Sequence, residues 1–166
     1  MKETTFRKYC VLLASILVMS GIASANNFPK EGNFDFTSCW SGVNTELSFS
    51  RGYSGTTYEM TGTQLSNPPG GIFDKNTFRC VGMNTMINGK LSSSNICEAV
   101  DADGHKRLTQ FYFKPDGTVV REMVAGTGKY EGMTMTTTVT TLGTFNPIKS
   151  GTFQGCNRQT GTYKMK

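Results

Sequence analysis

One histidine, one tryptophan and five prolines stand in 166 residues, and only 17% of the residues are charged. The lone histidine, His105, leaves a cysteine or serine nucleophile little choice of base, and no Ser-His-Asp set or paired-carboxylate motif is visible. Five prolines beside 19 glycines exclude collagen and proline-rich disorder. No two cysteines are spaced as Cys-x-x-Cys, which argues against a zinc site or a thioredoxin-like redox motif. No apolar run beyond the N-terminus reaches the ~18 residues of a membrane helix. Blocks of Lys and Arg, basic helices and basic patches interleaved with aromatics are missing, so nucleic acid is not an expected partner. Linkers, internal repeats, low-complexity segments and metal, nucleotide or other cofactor motifs are missing as well.

What is present begins with an export signature. Lys2, Arg7 and Lys8 precede the apolar stretch Val11–Met19, and Ala23-Ser24-Ala25 forms a small-residue cleavage site. Residues 1–25 are thus expected to be a signal peptide and 26–166 one exported domain, in the periplasm or beyond the cell. Cys10 lies ahead of the apolar stretch with no small-residue box before it, so no lipid attachment is read there. Loss of three basic residues and one acid lowers the formal net charge from +5 to +3. Cys39, Cys80, Cys97 and Cys156 remain, an even number that in an exported chain argues for disulfides.

The texture is short runs rich in Thr, Val, Phe, Tyr and Met, punctuated by Gly, Asn, Asp and Pro, with no convincing helical period. Strands are expected over 33–40, 45–51, 56–63, 77–87, 91–100, 106–113, 118–125, 130–142, 152–156 and 160–166. Ser66–Gly71 contains two prolines and reads as a loop. The fold class is all-β, a single antiparallel β-barrel of about eight to ten short strands.

Asn88-Gly89 is a strong two-residue hairpin signal, because a type I′ turn needs positive φ at both central positions. With Ile87 opposite Lys90, Cys80 falls opposite Cys97 and Arg79 opposite Glu98. The turn rule requires neither match, so we assign Cys80–Cys97, which leaves Cys39–Cys156 by elimination. Asp101–Gly104, read as the next turn, puts Arg107 opposite Glu98. Lys114–Thr118, with Pro115 and Gly117, reads as a third turn with a bulge. Alternation then places Val81, Met83, Ile87, Ile96, Phe111, Phe113, Val119 and Met123 on one face with Arg79, Glu98, Arg107 and Arg121. The other face holds Phe78, Cys80, Asn84, Cys97, Lys106, Gln110, Tyr112 and Glu122. The first face is the expected core.

Arg79, Glu98, Arg107 and Arg121 are therefore the candidate ligand site. Three guanidiniums around one carboxylate leave donors for an anion, and apolar neighbours would take a hydrophobic tail. The alternative is a salt-bridge network on the rim. Glu98 is the first acid–base candidate in an enzyme reading, although flanking arginines keep it ionised. Asp101-x-Asp103-Gly104 starts like a calcium loop but lacks the later ligands, and a hairpin turn accounts for it. His105 is expected at the surface. Trp40 is expected to plug the core over a disulfide. Met83, Met86, Met123, Met133 and Met135 are expected to fill core gaps, and Thr-rich 134–141 is ordinary strand.

The stretch Val124-Ala125-Gly126-Thr127-Gly128-Lys129-Tyr130-Glu131-Gly132 resembles the Gly-Thr-Gly-x-aromatic-x-Gly segment of allene oxide cyclase and dirigent-type barrels. It departs from their doubled glycine and from the small residue before the last glycine. The resemblance implies a barrel in which Tyr130 fills the core, and it transfers no catalytic residue. More broadly, Cys39–Gly42, Ser66–Gly71, Phe78–Gly82, Cys97–Asp101 and Gly151–Tyr163 resemble segments of small secreted bacterial proteins, which implies a shared scaffold and no activity. The expected function is non-enzymatic binding of a small amphipathic or anionic molecule in the barrel. The alternatives are a cyclase- or isomerase-like enzyme working by cavity shape, and a filled barrel acting through its surface.

Overall fold

The structure, a computed structural model, describes residues 28–114 and 116–166. The expected signal segment and Cys10 lie outside the described residues. The strands are β1 (Glu31–Ser50), β2 (Tyr53–Ser66), β3 (Asn76–Ile87), β4 (Lys90–Val100), β5 (Lys106–Phe113), β6 (Val119–Gly126), β7 (Thr134–Thr144) and β8 (Thr152–Lys164). All neighbours in the sheet are antiparallel, in the order β6-β5-β4-β3-β2-β1-β8-β7. The sheet curls into a nearly closed barrel. β6 and β7 approach across its seam, with no strand pairing between them among the described residues. The run expected from 130 starts later, because Gly128–Tyr130 forms a 3-10 turn.

Two breaks expected from the sequence are absent. Runs 33–40 and 45–51 are one strand, β1, and runs 152–156 and 160–166 are one strand, β8. Glycines there were read as punctuation, but they serve packing. Gly42 lies opposite Phe153, Gly155 opposite Trp40, and Gly161 opposite Phe34. Gly62 likewise lies opposite Phe78, and Gly82 opposite Tyr58. Each aromatic ring occupies the space where its glycine's Cβ would stand. Pairing a large residue with a small one across strands fills a tapering barrel without strain.

The Asn88-Gly89 turn forms as expected, with φ of 53° and 72°. Its register puts Cys80 opposite Cys97 and Arg79 opposite Glu98. Both expected disulfides are present, Cys80–Cys97 and Cys39–Cys156. They differ in setting. Cys80 and Cys97 are buried inside, whereas Cys39 and Cys156 alternate with inward residues and sit on the outer wall.

The core face of β3 and β4 is the reverse of the expected one. Phe78, Cys80, Cys97 and Ala99 are buried, while Val81, Met83, Ile87 and Ile96 are exposed. Side chains on β3 and β4 alternate in apolar character on both faces, and closure of the barrel decides between them. Met83 is accordingly an outer residue, not a core filler; Met133 is buried, and Met123 and Met135 pack beside it. The β4–β5 register is also one residue away from the expected one: Glu98 opposes Leu108, and Arg107 opposes Ala99. Three residues, not two, separate the paired Asp101 and His105, and Gly104 takes φ 80° to close the turn. A shift of one residue exchanges the two faces, so Arg107 points inward and Glu98 outward.

One end of the barrel is plugged. The β2–β3 connection folds back beneath it, held by Asp74, whose carboxylate accepts the Ser66 and Gly70 N–H groups at 2.9 and 2.8 Å. Ile72 and Phe73 thereby enter the interior and pack with Phe34, Phe36, Tyr130, Met133 and Tyr163. Phe73 meets Phe34 edge-on at 5.0 Å. The Tyr130 hydroxyl donates to the Ile72 carbonyl at 3.0 Å, as a buried phenol must find a partner. Each such ring contributes about 1.5–3 kcal/mol by burial.

Candidate functional site

Above the plug lies a chamber of about 160 Å³. Its wall mixes polar and apolar side chains. Ser38, Gln64, Asn157 and Gln159 face it from β1, β2 and β8, and Arg107 and Arg121 from β5 and β6. The Cys80–Cys97 bridge, Phe78, Ala99, Phe111, Met60 and Trp40 supply its apolar part, and Asn95 and Thr109 lie among them. Trp40 therefore does pack near a disulfide, but it is Cys80–Cys97 and not the bridge made by its sequence neighbour Cys39.

Arg107 is 3% exposed. Its guanidinium lies 4.1 Å from the Phe73 ring centroid and donates to the Gln64 carbonyl oxygen. Its Nε has no partner among the described residues. Arg121 rests against Phe111, 5.8 Å from the ring centroid. It is only partly buried as a residue, yet its Nε is sealed from solvent and also unpartnered. The Gln159 carbonyl oxygen is a third orphan. No Asp or Glu lines the chamber among the described residues. Burial lowers both guanidiniums to about 10, and the like charge of Arg121 acts in the same direction on Arg107. Both remain cationic at neutral pH. An orphaned buried donor costs about 1–3 kcal/mol, and more when charged.

Toward the open end the interior widens into a vestibule of about 380 Å³, lined by Asn44, Tyr58, Asn84, Ser93 and Phe153. Trp40 and Met60 line both spaces and stand between them. Tyr58 is fixed edge-on to Phe153 at 5.7 Å, and its hydroxyl accepts from Asn95 Nδ2 at 3.0 Å.

The candidate cluster is thus divided. Arg107 and Arg121 meet inside, while Arg79 and Glu98 line a solvent-open groove of about 720 Å³ on the outer wall. Arg79 pairs there with Glu59 at 2.7 Å and Glu98 with Lys106 at 2.7 Å. That groove is larger than the chamber, but its charges are already matched, and Glu98 offers no acid–base group to the interior. The amides that share the chamber with the arginines went unread in the sequence. Gln64 and Gln159 are inward by strand alternation once the register is known, which is the signal that would have found them.

The acidic turn is a structural device. Asp101 Oδ1 accepts the Asp103 and His105 N–H groups, each at 2.9 Å, and Oδ2 meets Lys129 Nζ at 2.8 Å. Burial opposes ionisation of Asp101, but Lys129 and the two N–H groups outweigh it and hold the carboxyl below its ordinary value. Asp101, Asp103 and His105 do lie within 4.8 Å of one another, with Lys129 already in the position of a cation. His105 is half-buried, its ring lying beside Gly128 rather than free in solvent.

Fold and site together define a small β-barrel with an aromatic core, two disulfides and a doubly cationic chamber. No protein-family model, curated protein or solved structure matches the chain.

Proposed function

We propose that this chain is an exported binding protein that holds a small amphipathic anion inside the barrel. The head group sits in the chamber against Arg107 and Arg121, and the apolar part extends past Met60 between Trp40, Tyr58 and Phe153. One observation carries the reading: two buried guanidiniums share a chamber without a carboxylate, each with an unpartnered Nε. Such charges are normally paired, and an anionic ligand supplies the missing partner. The two disulfides support an oxidising compartment.

The test is thermal unfolding with octanoate as probe and octanol as its uncharged counterpart, for the native chain and Arg121→Leu. Octanoate at about a hundredfold above its Kd stabilises the native protein by about 2.7 kcal/mol. Octanol does not reproduce this, and Arg121→Leu loses it while folding at least as stably without ligand, since an orphaned charge is removed. Equal stabilisation of the variant, or none of either protein, overturns the proposal.

A further inference from the structure

We propose that the open end of the barrel docks on an anionic membrane surface. The inference rests on the tips of the strands and not on the chamber arginines. β1 continues to Ser50 beyond Val43, its last residue paired with β8, and β2, β3 and β4 extend with it as a projecting sheet. The β1–β2 and β3–β4 turns touch, the Gly89 N–H donating to the Gly52 carbonyl at 3.2 Å. The β7–β8 connection is tied alongside by the Asn44 N–H donating to Gly151 O at 2.9 Å.

These tips carry apolar side chains that no described residue covers. Ile148 is 95% exposed, Phe49 84% and Leu47 69%. Ile87 and Leu91 flank the second turn and are also exposed. A monomer gains nothing from such residues at the far end of its hairpins, and apolar tips of this kind mark an interaction surface.

Charge selects the partner. Residues 47–58, 80–97 and 142–156 contain Arg51, Lys90 and Lys149, one cation each, and no Asp or Glu. The fourth connection at this end carries Lys114 with Asp116, and Glu46 is the nearest acid along β1. At the plugged end the acids Asp74, Asp101, Asp103 and Glu131 are interspersed with Lys75, Lys129, Lys164 and Lys166. Exposed Phe, Leu and Ile amid this excess of cations fit the boundary between lipid headgroups and acyl chains. This orientation turns the vestibule toward the bilayer.

The experiment is co-sedimentation of the disulfide-bonded protein with phosphatidylglycerol–phosphatidylcholine vesicles, against phosphatidylcholine alone, at low and high salt. Binding to the anionic vesicles is expected, weakened by salt. Arg51→Gln, Lys90→Gln and Lys149→Gln each weaken it roughly fivefold, the effect of one cation near such a surface. Phe49→Ser with Ile148→Ser abolishes it; both sites are exposed, and unchanged thermal unfolding verifies the fold. Arg121→Leu binds vesicles normally, which separates this inference from the ligand proposal. Absence of binding to anionic vesicles, binding indifferent to both sets of tip variants, or self-association through the tip without vesicle binding each overturns it.

Discussion

Asp101 shows how a single side chain earns its place by geometry rather than by chemistry. Three donors converge on its carboxylate, and they join the β4–β5 turn to Lys129 beyond β6. Charge-assisted hydrogen bonds of this kind are worth about 1.5–3 kcal/mol, so Asp101→Ala should lose about that much in urea unfolding at neutral pH. The folded carboxyl titrates below its unfolded value of about 3.9. Its contribution is therefore complete above that value and disappears as pH falls through the lower folded one. The gap between native protein and variant should close on acidification below pH ~4. A gap that persists in acid would place the variant's effect elsewhere. Arg107 and Arg121 are the opposite case, since their burial leaves donors unpartnered, and it is this imbalance that makes the chamber receptive to an anion.

At the level of elements, the glycines decide whether the strands can close on one another. A Cβ on Gly62 would meet the Cys39 carbonyl oxygen and the Phe78 ring. Neither backbone nor a buried ring yields easily, so Gly62→Ala should destabilise by about 1–3 kcal/mol. Gly55, on the same strand, has open space where a Cβ would go, and Gly55→Ala should be neutral or stabilising by up to ~1 kcal/mol. Opposite signs for the two variants in denaturant titrations would support the aromatic–glycine pairing; equal losses would point to a general intolerance of side chains in β2. The β4–β5 turn belongs to this scale too. The third residue between Asp101 and His105 puts Arg107 on the face opposite to Glu98, and so divides the candidate site.

For the whole molecule, the two disulfides divide the labour between interior and circumference. Cys39–Cys156 joins β1 to β8 across a separation of 117 residues, and Cys80–Cys97 closes a separation of 17. Loop-closure entropy gives the longer bridge about 4.7 kcal/mol and the shorter about 3. Because the long bridge lies on the outer wall and the short one is buried, limited reduction should open Cys39–Cys156 first. Alkylation followed by peptide mass analysis reads the order, and prior loss of Cys80–Cys97 would contradict the placement. The two ends of the molecule differ: the aromatic core lies at the plugged end, and exposed apolar tips with an excess of cations over acids lie at the open end.

Several features were legible in the residues alone, and for local reasons. Asn88-Gly89 admits one turn type, that turn imposes one register, and the register aligns Cys80 with Cys97 and Arg79 with Glu98. The second bridge then follows by elimination, and the alternation of short runs defines an all-β barrel. What only the tertiary structure decided is which side of each strand faces inward. Val81 and Ile96 are as apolar as Phe78 and Ala99, so composition does not separate the faces of β3 and β4. The opposing rings of Tyr58 and Phe78, seated over Gly82 and Gly62, do so once the sheet closes. Pairing is a relation between neighbours along a turn, whereas inside and outside are properties of a closed surface. For that reason Cys80–Cys97 could be read from the chain, and the separation of Arg107 and Arg121 from Arg79 and Glu98 could not.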